Sequence, residues 1–184
     1  TDEPLSNNLS FNHKKIRIGY LSGDLCTHAA GLLMADLIEV HNRNKFEVYA
    51  FDYSPEDGSQ YRNRIKQSFD YFIDVKPLTD DQIVSLIIKN EIDVLIDLHG
   101  WSNGAKPGVM SKHPAPIQIT YLGYFGTTAA PWIDYVITDG FVFTQEIQKY
   151  FTEKPIFING TIIPLAASDF TKTSLQRSDY GLPE

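Results

Sequence analysis

Ile16-Arg-Ile-Gly-Tyr-Leu21 runs without a break into Ser22-Gly-Asp-Leu-Cys-Thr-His-Ala-Ala-Gly31. The first segment is a continuous apolar and aromatic run, the pattern of a strand covered on both faces rather than on one. The second sets an acid (Asp24), the chain's single cysteine (Cys26) and a histidine (His28) close together where a strand gives way to a helix.

Working outward, runs of the same kind recur at Phe46–Tyr53, Tyr71–Val75, Asp93–Leu98, Ile117–Leu122 and Ile133–Thr138. Between them lie the amphipathic segments Leu32–Asn42 and Gln60–Phe69, and Asp80–Asn90, which Thr79 and Gln82 open with the spacing of a capping box. Strands alternating with helices predict βαβ units, hence an α/β fold: a Rossmann-like, doubly wound, mainly parallel sheet with helices on both faces. Residues 1–15 and 166–184 are polar and poorly periodic and read as linkers flanking one lobe, residues 16–165. The last stretch ends at Gly181-Leu-Pro-Glu184, as if leading into a further unit.

A chain of 184 residues, 42% apolar, is long enough for one domain with a substantial core. No apolar run approaches the ~20 residues that span a bilayer, and the first residues lack the basic and apolar regions of a signal peptide. One cysteine makes no internal disulfide, which agrees with a reducing compartment, so a cytoplasmic location without membrane partners is expected. A net charge of −7 argues against nucleic acid as a partner, because phosphate backbones are bound by clustered Lys and Arg.

In such sheets ligands gather outside the carboxyl ends of the strands. The segments there are Gly23-Asp-Leu-Cys-Thr-His28, His99-Gly-Trp-Ser-Asn-Gly-Ala-Lys-Pro-Gly108, Gly123-Tyr-Phe-Gly-Thr-Thr128 and Asp139-Gly140. Their mixture of Gly, Ser, Thr and aromatic residues offers backbone N–H groups, hydroxyls and stacking faces suited to sugars or phosphates; the plainer alternative is that the glycines only let the chain reverse. Cys26 and His28 are poorly spaced for a nucleophile pair, and a thiol buried beneath the loop is the expected fate of Cys26. No metal site is expected, since the histidines are scattered and no Cys-x-x-Cys or His-x-x-x-His spacing occurs. Asp24 and His28 form a better pair: an offset of four around a helix start lets the carboxylate orient the imidazole, while the competing view makes Asp24 a helix cap and His28 a surface residue of the first turn. Neither a Gly-x-Gly-x-x-Gly turn nor a P-loop is present.

Ile16-Arg-Ile-Gly-Tyr-Leu-Ser-Gly-Asp24 with His28, His41-Asn42, Lys45-Phe-Glu-Val48, Tyr53-Ser-Pro-Glu-Asp-Gly58, Gly100-Trp-Ser-Asn-Gly-Ala-Lys106, Pro114-Ala-Pro-Ile-Gln118, Leu122-Gly-Tyr-Phe-Gly-Thr127 and Asp134-Tyr-Val-Ile-Thr-Asp139 occur in an order that resembles the protein O-GlcNAc transferase family, over about residues 15–165. The resemblance implies the first lobe of a two-lobed GT-B glycosyltransferase, with tetratricopeptide repeats upstream and a second lobe beginning near Asp179-Tyr-Gly-Leu-Pro-Glu184. It implies transfer of GlcNAc from UDP-GlcNAc to Ser or Thr hydroxyls of an acceptor protein or peptide, inverting and metal-independent. The donor would be held mainly by the second lobe, no cofactor would be needed, and this lobe alone would be inactive. Asp24 and His28 match the family's cleft acid and a histidine considered as a base; Leu122, Gly123 and Thr127 match a loop beside the donor sugar; Trp101, Ser102 and Lys106 match a cleft-lining segment. Departures are Ala29-Ala30 in place of Pro-Thr of animal members, Phe125 in place of a proline, and Lys106 in place of an arginine, which keeps charge but loses the two-pronged geometry. The rival from another class is a non-catalytic Rossmann-like module for protein interaction or sugar-nucleotide sensing.

Overall fold

The computed structural model describes Leu5, residues 11–164, residues 176–181 and Pro183. Most of the expected linkers, 1–15 and 166–184, therefore lies outside the described residues. In chain order the elements are β1 (Ile16–Ser22), α1 (Ala29–Glu39), β2 (Phe46–Asp52), α2 (Gln60–Ser68), β3 (Tyr71–Asp74), α3 (Asp80–Lys89), β4 (Val94–Asp97), α4 (Pro107–Met110), β5 (Ile117–Thr120), β6 (Tyr135–Thr138), α5 (Gln145–Gln148) and β7 (Lys154–Phe157), followed by a 3₁₀ turn at Arg177–Tyr180.

The strands form a single sheet in the order β3-β2-β1-β4-β5-β6-β7, and every pairing is parallel. The expected doubly wound α/β fold is what the chain adopts. Alternate residues of the central strands feed opposite cores: Tyr20, Val48, Ala50 and Ile96 pack with Met34 and Ile38 of α1 and Ile65 of α2, whereas Leu21, Tyr49, Phe51 and Leu95 pack with Ile83 and Ile87 of α3 and Val109 of α4. Because both faces of β1, β2 and β4 are covered, their middles are apolar, and the charged Arg17 and Glu47 fall at the less buried starts of β1 and β2, where they pair at 3.1 Å. Among the described residues no helix is long and apolar enough to cross a membrane.

Most element bounds differ by one or two residues from expectation, the short helices α4 and α5 and the strand β7 are additional, and α1 differs most. α1 begins three residues before Leu32, because the His28 side chain caps it by accepting from the Ala30 amide, and it ends at Glu39 rather than Asn42. β7 pairs only with β6, so it is an edge strand, where Pro155 is tolerated. The capping box of α3 forms as predicted, with Thr79 N donating to Gln82 Oε1 at 2.9 Å and Gln82 N donating to Thr79 Oγ1 at 3.4 Å. The winding direction of the sheet reverses between β1 and β4, so the segments leaving those two strands diverge and leave a crevice at their carboxyl ends.

Candidate active site

The loop after β1 is fastened from several sides. Ser22 Oγ accepts from Asp24 N at 3.0 Å, Ser54 Oγ accepts from Leu25 N at 2.8 Å, and Arg62 Nη1 donates to Leu25 O at 2.6 Å. Thr27 N donates to Asp57 Oδ2 at 2.8 Å, and hydrogen bonds from the Ser59 and Thr27 amides hold the Asp57 carboxyl well below its ordinary range. Gly31 allows α1 to press back on this loop: a Cβ there would lie 2.2 Å from Cys26 O. Cys26 is buried as expected, and burial, aided by Asp57 and Asp24, raises its thiol pKa, so it is no poised nucleophile.

Asp24 Oδ2 stands 3.5 Å from His28 Nδ1 and 3.5 Å from His99 Nε2. The first distance brings together the pair anticipated from the sequence, with the difference that His28 itself is the helix cap. Its Nδ1 accepts from Ala30 N at 3.3 Å, which places the ring proton of a neutral imidazole on Nε2. For Nε2 to take up a proton from a substrate, Nδ1 must carry the proton and turn it toward Asp24 instead of the amide. The long 3.3 Å cap and the 3.5 Å carboxylate contact leave the ring between these two arrangements.

His99, the first residue of the strand-edge segment after β4, lies almost wholly buried. It connects the two loops flanking the crevice: Gly23 N donates to its Nε2 at 2.9 Å, and its Nδ1 is 3.1 Å from Ser102 Oγ. The turn beneath it is closed by Asp97, whose carboxylate accepts from His99 N at 3.0 Å and Gly100 N at 2.9 Å. Burial pushes the Asp97 carboxyl pKa up against the pull of those two amides.

The loop after β5 packs onto the same rim. A Cβ on Gly123 would fall 1.9 Å from Leu98 O and 3.2 Å from His99 Cα, so only glycine fits. Leu122, before it, has φ +68° with Gly123 N donating to Tyr121 O at 2.9 Å, a tight three-residue turn of the rare hand. Thr127 Oγ1 donates to Glu153 Oε2 at 2.7 Å and Thr128 N to Glu153 Oε1 at 2.6 Å, so a buried carboxylate just before β7 fixes the loop. Trp101, half exposed, donates from Nε1 to Thr128 O at 2.6 Å and ties the β4 and β5 loops together. Lys106 is engaged at one side: its Nζ is 3.4 Å from Asp80 Oδ1 and 5.1 Å from the Tyr53 ring centroid, and that ring lies 5.6 Å from the ring of His99.

Asp24, His28, Trp101, Ser102, Lys106, Leu122, Gly123 and Thr127 thus belong to three neighbouring loops at one edge of the sheet. His99, Tyr53 and Glu153 join Trp101 in holding those loops together, and no local spacing marks them for that role. Among the described residues no group of three or more His, Cys, Asp or Glu side chains is disposed to hold a metal ion.

Residues 4–167 match the model of "Glycosyl transferase family 41". The chain belongs to glycosyl transferase family 41. It is 36% identical over 177 residues to a probable UDP-N-acetylglucosamine–peptide N-acetylglucosaminyltransferase, SEC, of Arabidopsis thaliana, a match covering 93% of this chain and 18% of that protein. It is 31% identical over 151 residues to the UDP-N-acetylglucosamine–peptide N-acetylglucosaminyltransferase of Caenorhabditis elegans, covering 82% of this chain and 13% of that one. Among solved structures, a mutant O-GlcNAc transferase of Thermobaculum terrenum superposes with a TM-score of 0.77 at 31% identity, over 83% of this chain and 29% of that chain. The family 41 chain described here therefore spans less than a fifth of the two curated relatives, and the part it corresponds to is a parallel-sheet lobe.

Proposed function

We propose that this lobe is the acceptor-side half of an inverting protein glycosyltransferase that moves GlcNAc from UDP-GlcNAc to a Ser or Thr hydroxyl. The observation that carries the proposal is the meeting of Asp24 with His28 at 3.5 Å on the rim where the β1, β4 and β5 loops converge. In the reaction, the acceptor oxygen forms a bond to the anomeric carbon as the bond from that carbon to the diphosphate breaks. The hydroxyl proton passes to a base, and UDP departs as an anion.

In this scheme His28 Nε2 is the base, once its Nδ1–H is turned toward Asp24, and the carboxylate stabilises the imidazolium that forms. Trp101, Ser102, Leu122, Gly123 and Thr127 line the groove that receives the sugar and the acceptor. Lys106 adds positive charge at its edge. No cofactor or metal enters the scheme, and stabilisation of the departing diphosphate falls to donors of a second lobe. Residues 16–165 form the catalytic lobe, 1–15 and 166–184 join it to tetratricopeptide repeats and to that second lobe, and the enzyme works in the cytoplasm.

The test is the full-length protein assayed with a panel of sugar nucleotides and acceptor peptides, followed by mapping of the modified side chain. Transfer of GlcNAc to Ser or Thr that is lost by ~10²-fold or more in His28→Ala supports the scheme. Sugar-nucleotide or protein binding without transfer identifies a non-catalytic module instead. The isolated lobe is expected to be inactive, so turnover by residues 1–184 alone contradicts the assignment of the leaving-group donors.

A further inference from the structure

Buried at the mouth of β4, His99 has one hydrogen-bond partner on each side of its ring, with Asp24 Oδ2 a further 3.5 Å neighbour of Nε2 beyond the 2.9 Å Gly23 amide, and the two partners differ in kind. A backbone N–H can only donate, so the Gly23 amide at 2.9 Å requires a lone pair on Nε2. The one proton of the neutral ring then sits on Nδ1 and points at Ser102 Oγ, 3.1 Å away. Ser102 consequently accepts from His99, and among the described residues its own O–H has no other hydrogen-bond partner. Ser102 is half-buried, and its O–H is left available to donate to a further partner. Ser102 is further pinned by its amide, which donates to His99 O at 2.9 Å.

We propose that His99 is a positioning residue with two separable tasks, one through each ring nitrogen. Through Nε2 it sets the loop carrying Asp24 and His28; through Nδ1–H it forces Ser102 to present a donor to an oxygen of the bound substrate. The two tasks act on different parts of the reaction. Asp24 and His28 serve the chemical step, so misplacing their loop lowers kcat. Ser102 serves binding, so freeing its hydroxyl to rotate raises KM. The inference rests on the glycosyltransferase function proposed above for its kinetic half, and on hydrogen bonding alone for its structural half.

The two amides of the amino-acid alphabet separate the tasks. The terminal group of Gln reaches about as far as Nε2 of histidine, and that of Asn about as far as Nδ1. In the full-length protein, His99→Gln is expected to keep an acceptor for Gly23 N and to lose the donor to Ser102. His99→Asn keeps a donor near Ser102 and leaves the Gly23 amide without its acceptor. The expected kinetics are a KM raised about tenfold with kcat within about twofold for His99→Gln, and kcat lowered by ~10²-fold with KM nearly unchanged for His99→Asn.

Hydrogen exchange read by mass spectrometry on the peptide containing Gly23 follows the structural half without any assay. Protection there is expected to persist in His99→Gln and to fall in His99→Asn. Equal kinetic losses in both variants, or no loss in either, overturns the proposal. If the wild-type protein transfers no sugar at all, the proposed function fails on that result. The positioning role is then judged by exchange alone, and unchanged protection in His99→Asn overturns it.

Discussion

The guanidinium of Arg62 grips the carboxylate of Asp52 with two hydrogen bonds, Nη2 to Oδ2 at 2.7 Å and Nη1 to Oδ1 at 3.2 Å, with both side chains sealed from solvent at 4% and 1% exposure. The same Nη1 reaches Leu25 O, so the pair underpins the loop that carries Asp24. An isolated charge in that position has no water to solvate it, which makes removal of one partner worse than removal of both. Arg62→Met is expected to cost about 3–5 kcal/mol, and the double variant with Asp52→Asn to recover a substantial part. Urea unfolding of the single and double variants measures the coupling; a double variant as unstable as the sum of the singles would show that the two groups do not act as a pair.

Gly123 is held against Leu98 O with no room for a methyl group. Gly123→Ala must therefore displace the β5 loop from the β4 strand end, at an expected cost of about 3 kcal/mol. Gly140→Ala is the matched control, because a Cβ there meets nothing within 4 Å, and its effect is expected within about 0.5 kcal/mol. Thermal midpoints of the two variants decide it: similar values would mean that the β5 loop rearranges freely and is no fixed wall of the groove.

The parts of this lobe legible in the sequence are those set by local pattern. Continuous apolar runs at Ile16–Leu21 and Phe46–Tyr53 announced strands covered on both faces, because Tyr20 and Leu21 each need an apolar partner on opposite sides of the sheet. The Thr79/Gln82 capping box needs only four consecutive residues, and it formed as read. β7 is not legible locally, because Lys154-Pro-Ile-Phe157 is short and contains a proline, and its strand character depends on an edge position that only the sheet order reveals. The i, i+4 offset points to His28 as a neighbour of Asp24, but its place as the α1 cap is hidden, since histidine is outside the usual capping set. His99 and Glu153 were opaque for another reason: the groups that give them meaning, the Gly23 amide and the hydroxyls of Thr127 and Thr128, lie 76 and about 25 positions away. Long-range hydrogen bonds leave no mark on composition or spacing.

His28 combines a capping role with the proposed proton transfer, and the two can be separated by substitution. Asparagine is a preferred helix cap, whereas alanine has no acceptor for the Ala30 amide. His28→Asn is expected to keep the stability of the lobe, and His28→Ala to lose about 1 kcal/mol. In the full-length enzyme both are expected to lose transfer to the same extent, since neither can accept the proton. Retention of activity by His28→Asn would show that the histidine serves the helix and not the reaction.

Glu153 supplies the pH dependence. Burial pushes its carboxyl pKa up, but hydrogen bonds from Thr128 and Thr127 outweigh burial and leave it below the ordinary value of 4.5. A carboxyl whose pKa is lower folded than unfolded stabilises the fold fully at pH above the unfolded value, and loses that contribution as the pH falls through the folded one. Relative to Glu153→Gln, which keeps the shape but not the charge, the wild-type chain is therefore expected to gain about 1.5 kcal/mol near neutrality from its charge-assisted hydrogen bonds. The gap should narrow steadily once the pH drops below about 4.5. Unfolding curves of the two chains from pH 7 down to pH 3 measure it, and a separation that stays constant over that range would mean that the carboxylate does not fasten the Thr127–Thr128 loop through its charge.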